Sequence, residues 1–204
     1  FNHGLAQLDD RYDVICKFDA YLIFPNSYLE TLNNTFISNK KYGIAGGFCY
    51  IKINDQWVLE DLTSKDHIRG ALKAYRKSCF IDIDGLKNTM GWDTIDELLA
   101  RYHGWEICTD PNLKVKHLKP TGKVYTNKAK LKQGEAFYKM RYGFILTLIA
   151  TLKLSLKKGS ISYFVQTLKG YLYAIKDRRG YSVSDKEGKF IRKYRWMNIR
   201  KKLF

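Results

Sequence analysis

At 204 residues, 45% of them hydrophobic and only 3 of them proline, the chain has the material for one domain, or one domain and an appendage. That composition excludes wholesale disorder and a flexible linker. A net charge of +16 points to an anionic partner: nucleic acid, a phosphate-bearing ligand or an acidic membrane surface. The charge is uneven. Residues 1–110 mix both signs, whereas Lys and Arg dominate from Lys114 onward and end in a run through Lys189, Arg192, Lys193, Arg195, Arg200, Lys201 and Lys202. This shift predicts two parts with a boundary near residues 120–134.

In chain order, residues 1–8 read as the end of a helix. Residues 13–19 read as a strand, because Val14, Ile15, Cys16 and Phe18 form the kind of apolar run found in parallel sheets covered on both faces. Asp19 closes that run, where open α/β sheets bind ligands, and where an Asp also commonly makes a turn. A helix over 26–37 follows, capped by Asn26 or Ser27, with Tyr28, Leu29, Leu32 and Phe36 on one face. Gly43–Ile53 and Gln56–Leu59 pattern as strands joined by the turn pair Asn54-Asp55. Gly70–Tyr75 is expected to be a strand entering the core, and Arg76–Asp82 a short helix closed by Asp84-Gly85. Asp93–His103 is expected to be a helix with Ile95, Leu98, Leu99 and Tyr102 inward and Gly104 as its stop. Trp105–Thr109 and Leu113–His117 read as short strands, 135–157 and 161–176 as helices. Strands alternating with helices predict an α/β fold.

The carboxylates Asp93, Asp96 and Glu97 open one helix, where the macrodipole favours them as simple caps. Trp92 beside Asp93 adds an aromatic wall, a setting in which a carboxylate serves as general base towards a hydroxyl. His117 ends a strand, and histidines so placed are more often structural than ligating. His3, His67 and His103 show no partner spacing. Gly46-Gly47 does not match a phosphate loop. The cysteines Cys16, Cys49, Cys79 and Cys108 are too widely spaced for zinc pairs and are expected to be reduced, mostly buried thiols of a cytoplasmic protein.

Four pieces together resemble the inverting family 2 glycosyltransferases of bacterial surface-polysaccharide type. Phe18-Asp19-Ala20-Tyr21 stands at the D-x-D position. Gly70-Ala71-Leu72-Lys73-Ala74-Tyr75-Arg76 is similar to the acceptor-side strand. Gly91-Trp92-Asp93-Thr94-Ile95-Asp96-Glu97, with Arg101 and Gly104-Trp105 after it, is similar to the acidic block that carries the base. Val115-Lys116-His117 matches the late histidine. The likeness covers about residues 1–120, and Gly170-Tyr171-Leu172 with the closing basic run is similar to a C-terminal extension of such enzymes.

The resemblance implies a GT-A-like mixed sheet flanked by helices over 1–125, N-terminally incomplete, and a basic helical extension over 126–204. It implies transfer of a sugar from a nucleotide-diphosphate sugar to a glycan or lipid-linked acceptor, with Asp93 and Asp96 catalytic and Asp93 the base. It also implies donor contacts from Asp19, Tyr21 and Trp92, and Mg²⁺ or Mn²⁺ held by Asp19 and His117. Tyr21 stands where the family has a second acid, the direct metal ligand; a phenol is a poor ligand for such hard cations. The family's nucleotide-binding βαβ half is expected before Phe1, and nucleotide affinity with it. The start shows no cleavable signal. The apolar run Phe144–Leu152 is too short to span a bilayer, so basic, aromatic helices here imply a peripheral place on the inner face of the cell membrane. Two other readings remain: a non-catalytic remnant that binds a partner glycosyltransferase, and a nucleic-acid binder using Arg192-Lys193-Tyr194-Arg195-Trp196, although no nucleic-acid module is visible.

Overall fold

The computed structural model describes residues 1–60, 67–119 and 126–203. The elements run α1 (Asn2–Leu5), β1 (Val14–Phe18), β2 (Leu22–Ile23), α2 (Tyr28–Ser38), β3 (Tyr42–Ile53), β4 (Gln56–Leu59), β5 (Leu72–Arg76), α3 (Lys77–Asp82), α4 (Trp92–Tyr102), β6 (Glu106–His117), α5 (Asn127–Lys139), α6 (Phe144–Lys157), α7 (Ile161–Lys176) and α8 (Asp185–Leu203). They form a mixed α/β structure: a mixed sheet flanked by helices, then a basic helical C-terminal portion. The chain divides into two compact units, Phe1–Leu86 with Trp92–Thr121, and Lys87–Gly91 with Gly122–Phe204.

In the first unit the sheet order is β1-β5-β3-β6-β2, with β4 paired to β3. Among the described residues only β3 and β6 pair parallel, and the other pairings are antiparallel. Asn54 and Asp55 both take positive φ, 47° and 64°, as a tight two-residue hairpin turn demands. Helix α2 buries Tyr28, Leu32 and Phe36, and the Tyr28 hydroxyl donates to the Leu72 carbonyl (3.1 Å) and accepts from the Gly47 amide (3.3 Å). Ile44, Leu72, Tyr75, Ile95, Leu99 and Val115 are almost fully buried.

Three expectations change. The β1 run is not a covered parallel strand. It is an antiparallel edge strand with Cys16 exposed, since β5 alone pairs with it. The two short strands after Gly104 are one strand, β6, whose register to β3 shifts between Gly46 and Phe48. Its central residues, Pro111 among them, are the polar ones that made it read as a break.

In the second unit the single helix expected over 135–157 is two. The chain breaks at Met140–Gly143, where Arg141 and Gly143 take positive φ of 54° and 76°. Arg141 is held there by its bond to the Val183 carbonyl (3.0 Å), its ion pair with Asp185 (2.7 Å) and its stack on Tyr181 (3.5 Å to the ring centroid). The closing basic run is helical. A capping box starts it: the Ser184 amide donates to Glu187 Oε2 and the Glu187 amide to Ser184 Oγ. Arg192 and Arg195 of the run donate to the Arg141 carbonyl (2.7 Å) and the Tyr142 hydroxyl (2.9 Å). Part of the charge read as phosphate-binding therefore secures packing inside this unit.

Candidate functional site

The end of β1 sets the first group. The Asp19 amide still bonds to the Ala71 carbonyl (2.9 Å), so Asp19 sits one step past the ladder, across from the entry to β5. Its carboxylate pairs with the ammonium of Lys17, and that ammonium lies 5.2 Å from the centre of the Trp92 ring. Trp92 begins α4 and lies against Gly70: a Cβ on Gly70 would meet the ring at 2.8 Å, so only glycine lets the indole approach. Asp19 and Trp92 are thereby linked through Lys17, and Asp93 follows Trp92 in the first turn of α4. Tyr21 is half exposed, its ring 5.1 Å from the Lys119 ammonium.

The first turns of α4 carry the second group. Asp93 keeps a third of its side chain exposed, whereas Asp96 and Glu97 face inward. Lys73 of β5, fully buried, bonds to Asp96 (2.8 and 3.0 Å), to Glu97 (3.0 Å) and to the Asp93 carbonyl. The Tyr75 hydroxyl also donates to Asp96. Glu97 accepts from the Ile68 amide (3.0 Å) and meets His67 Nδ1 at 3.0 Å, while His67 Nε2 lies 3.7 Å from Asp93. Burial works against a charged His67, yet Asp93 and Glu97 outweigh it and hold the imidazolium up to about 9. Burial also works against the Asp93 carboxylate, but His67 and Lys73 outweigh that and set it below the ordinary carboxylate range. Asp93 is therefore an ionised, accessible acid, and Asp96 a buried one engaged by a lysine and a phenol.

His117 belongs to a third group. Cys49 lies in β3, Glu60 just past β4 and His117 at the end of β6. The Glu60 amide bonds to the Cys49 carbonyl (2.9 Å), and β6 runs parallel beside β3, with Val115 opposite Cys49. One ligand atom from each of the three lies within 4.8 Å of the others. Burial pushes the Cys49 thiol up to about 12; Arg69 opposes this, and Glu60 and Asp19 add to it. Arg69 lies 3.4 Å from Glu60 and also helps to lower Asp93.

The residues present do not fit a hard cation held by Asp19 and His117. The Asp19 carboxylate is engaged by Lys17, Tyr21 rather than an acid stands two residues on, and the group around His117 contains a thiol. Spacing missed Lys17, Cys49, Glu60, His67, Arg69 and Lys73. The one signal for Lys73 was a charged residue in the middle of an apolar strand. Lys17, on β1, lies two residues before Asp19, and the others come together only through tertiary contacts.

No protein-family model and no curated protein matches this chain. Among solved structures it is similar to a mannosyltransferase from Pyrobaculum calidifontis in complex with GDP-Man and Mn²⁺, at 10% identity and a TM-score of 0.49. The alignment covers 97% of this chain and 58% of that one, so the chain spans less than two thirds of the solved protein's length.

Proposed function

We propose that the chain carries the acceptor side of an inverting glycosyltransferase acting on a nucleotide-diphosphate sugar. The observation that carries this reading is Asp93: an accessible carboxylate kept ionised by His67 and Lys73, next in the chain to Trp92, whose ring the Lys17 ammonium approaches at 5.2 Å. A general base must be unprotonated and within reach of its proton, and Asp93 meets the first need at any pH above the carboxylate range. In the proposed step Asp93 takes the proton of an acceptor hydroxyl. The oxygen attacks the anomeric carbon, the bond from that carbon to the diphosphate breaks, and the configuration inverts. Trp92 offers an apolar plane to a sugar or base, and Asp19 a hydrogen-bond acceptor to donor hydroxyls. Lys17 and Arg69 place positive charge where the leaving diphosphate gathers negative charge, the electrostatic task that dominates such reactions. Asp96 acts as a positioning residue, fixing Lys73 under the first turn of α4. The acceptor is a glycan or a lipid-linked saccharide, with the second unit against an anionic membrane surface.

The test is transfer from a panel of nucleotide-diphosphate sugars at saturating donor, with the anomeric configuration of the product read by NMR. The expected result is an inverted glycoside, with kcat reduced roughly 10²–10⁴-fold in Asp93→Asn at unchanged fold. A retained anomer, or an Asp93→Asn variant as fast as the parent, overturns the assignment. Absence of transfer with every donor favours the non-catalytic, partner-binding reading, which Tyr21 and the Lys17–Asp19 pair already suit.

A further inference from the structure

We propose that Cys49, Glu60 and His117 form a three-ligand site for a zinc-class transition-metal ion, with a fourth position open to water or to an oxygen ligand. This goes beyond the sugar-transfer reading and does not rest on it.

The placement comes from the sheet. The β3–β4 hairpin brings Glu60 back over Cys49, and the parallel neighbour β6 delivers His117 to the same end. The three are 3%, 8% and 7% exposed. A thiol, a carboxylate and an imidazole converging under such cover are an unusual set for a core, because polar and charged groups are costly to bury. The ligand atoms lie within 4.8 Å of one another, and His117 Nδ1 is 3.9 Å from Glu60 Oε2. Zinc bonds of about 2.0–2.3 Å in a tetrahedron set donor atoms roughly 3.3–3.8 Å apart, so the longest separation needs to shorten by about 1.0–1.5 Å.

A second observation points into the same space. His117 Nδ1 is buried and has no hydrogen-bond partner among the described residues, and it faces Glu60 across a gap too long for a hydrogen bond. A buried ring nitrogen left without a partner is the group that a metal ion completes.

Donor chemistry selects the ion. A thiolate is soft, and with imidazole it favours Zn²⁺ or Co²⁺ over Mg²⁺, Mn²⁺ or Ca²⁺. On binding, the Cys49 S–H bond breaks, its proton leaves to solvent, and sulfur bonds to the metal. One thiolate and one carboxylate then cancel the 2+ charge, leaving a neutral centre suited to a buried place. Arg69, 3.4 Å from Glu60, is placed to hold the carboxylate that binds, as the outer partners of metal ligands do. Three protein ligands with an open fourth position are the pattern of zinc sites that bind a further molecule rather than close a fold.

The experiment titrates the reduced protein with Co²⁺ under anaerobic conditions and follows the sulfur-to-cobalt charge-transfer band, then displaces Co²⁺ with Zn²⁺. One ion per chain, a charge-transfer band and displacement by Zn²⁺ are expected. Cys49→Ser should abolish the band, His117→Gln should weaken affinity by at least about tenfold, and Cys16→Ser, at an exposed thiol outside the group, should change neither. Circular dichroism checks each fold. Should Cys49→Ser fail to fold, Glu60→Gln joins His117→Gln, and both are expected to weaken binding to the same degree. No band in the parent, a band that survives in Cys49→Ser or vanishes in Cys16→Ser, unchanged affinity in the imidazole and carboxylate variants, or Mn²⁺ displacing Co²⁺ at equal concentration each overturns the proposal.

Discussion

His67 shows how a residue without any sequence signal becomes central. In the unfolded chain its imidazole titrates near the ordinary value of about 6.5; in the fold, between Asp93 and Glu97, it holds its proton up to about 9. A folded value above the unfolded one stabilises the protein fully below about pH 6.5, and that contribution is lost as pH rises through 9. Urea unfolding should therefore show the parent losing roughly 1–3 kcal/mol more than His67→Gln between pH 6.5 and 9.5. Equal losses in the two proteins would remove the ion pairs from the account. The same turn of α4 shows what sequence conveys at this scale. Three carboxylates in five residues announced a charged helix start, and Trp92 beside Asp93 marked the accessible one. That Asp96 is buried was hidden, because its partner Lys73 lies on a strand twenty-three residues earlier and helical spacing alone does not reveal a buried cation. Asp19 was legible as a strand-end acid, but its ion pair with Lys17 was not.

At the scale of elements, patterns carried the reading where one period ran unbroken. The β3–β4 hairpin follows its turn residues, and helices α2 and α4 bury Tyr28, Leu32 and Phe36, and Ile95, Leu98 and Leu99, as their spacing predicts, whereas Leu29 is exposed and Tyr102 only half-buried. Period failed where a neighbour supplied the reason. Strand β6 crosses a polar, proline-containing middle because β3 holds it on both sides of a register shift. The break between α5 and α6 depends on Arg141 being anchored by residues forty positions later. The α5–α7 crossing is another such case. A Cβ on Gly134 would fall 1.8 Å from the Thr167 carbonyl oxygen, and one on Gly170 would fall 2.0 Å from that of Leu131. Each glycine faces rigid backbone of the other helix, so relaxation means parting the helices. Gly134→Ala and Gly170→Ala are each expected to destabilise the helical unit by about 1–3 kcal/mol or more, read as a lower urea midpoint. Glycine-to-alanine at Gly159, where nothing lies within 4 Å of the added carbon, provides the contrast, with only its own backbone strain to register.

Across the whole molecule, the helical unit combines a buried apolar core, with Phe137, Met140, Leu146 and Ile191 in it, and two outward aliphatic faces. Helix α6 buries Leu146, Thr147, Thr151 and Ser155 and leaves Ile145, Ile149, Leu152 and Leu156 exposed, residues one, two and three turns apart on a single face. Helix α7 buries Tyr163, Thr167, Gly170, Tyr171 and Ala174 and likewise exposes Ile161, Val165, Leu172 and Ile175. Small residues at the crossing and aliphatic residues outside are the preference of helices packed in lipid. No described helix is long and apolar enough to cross a membrane. The sequence from Phe144 to Lys176 contains no Asp or Glu, while Lys153, Lys157, Lys158, Lys169 and Lys176 are all exposed. An anionic headgroup layer with acyl chains beneath satisfies both features, at about 1 kcal/mol per lysine near the surface. The protein should co-sediment with phosphatidylglycerol vesicles far more than with phosphatidylcholine vesicles. Molar salt should weaken that binding without abolishing it, because the apolar stripes are insensitive to screening. Leu152→Glu with Leu172→Glu should reduce vesicle binding at least about tenfold while leaving the far-ultraviolet circular dichroism unchanged, since both side chains already face outward. Equal binding to neutral and anionic vesicles, or full binding by the double variant, would direct these stripes to a protein partner instead.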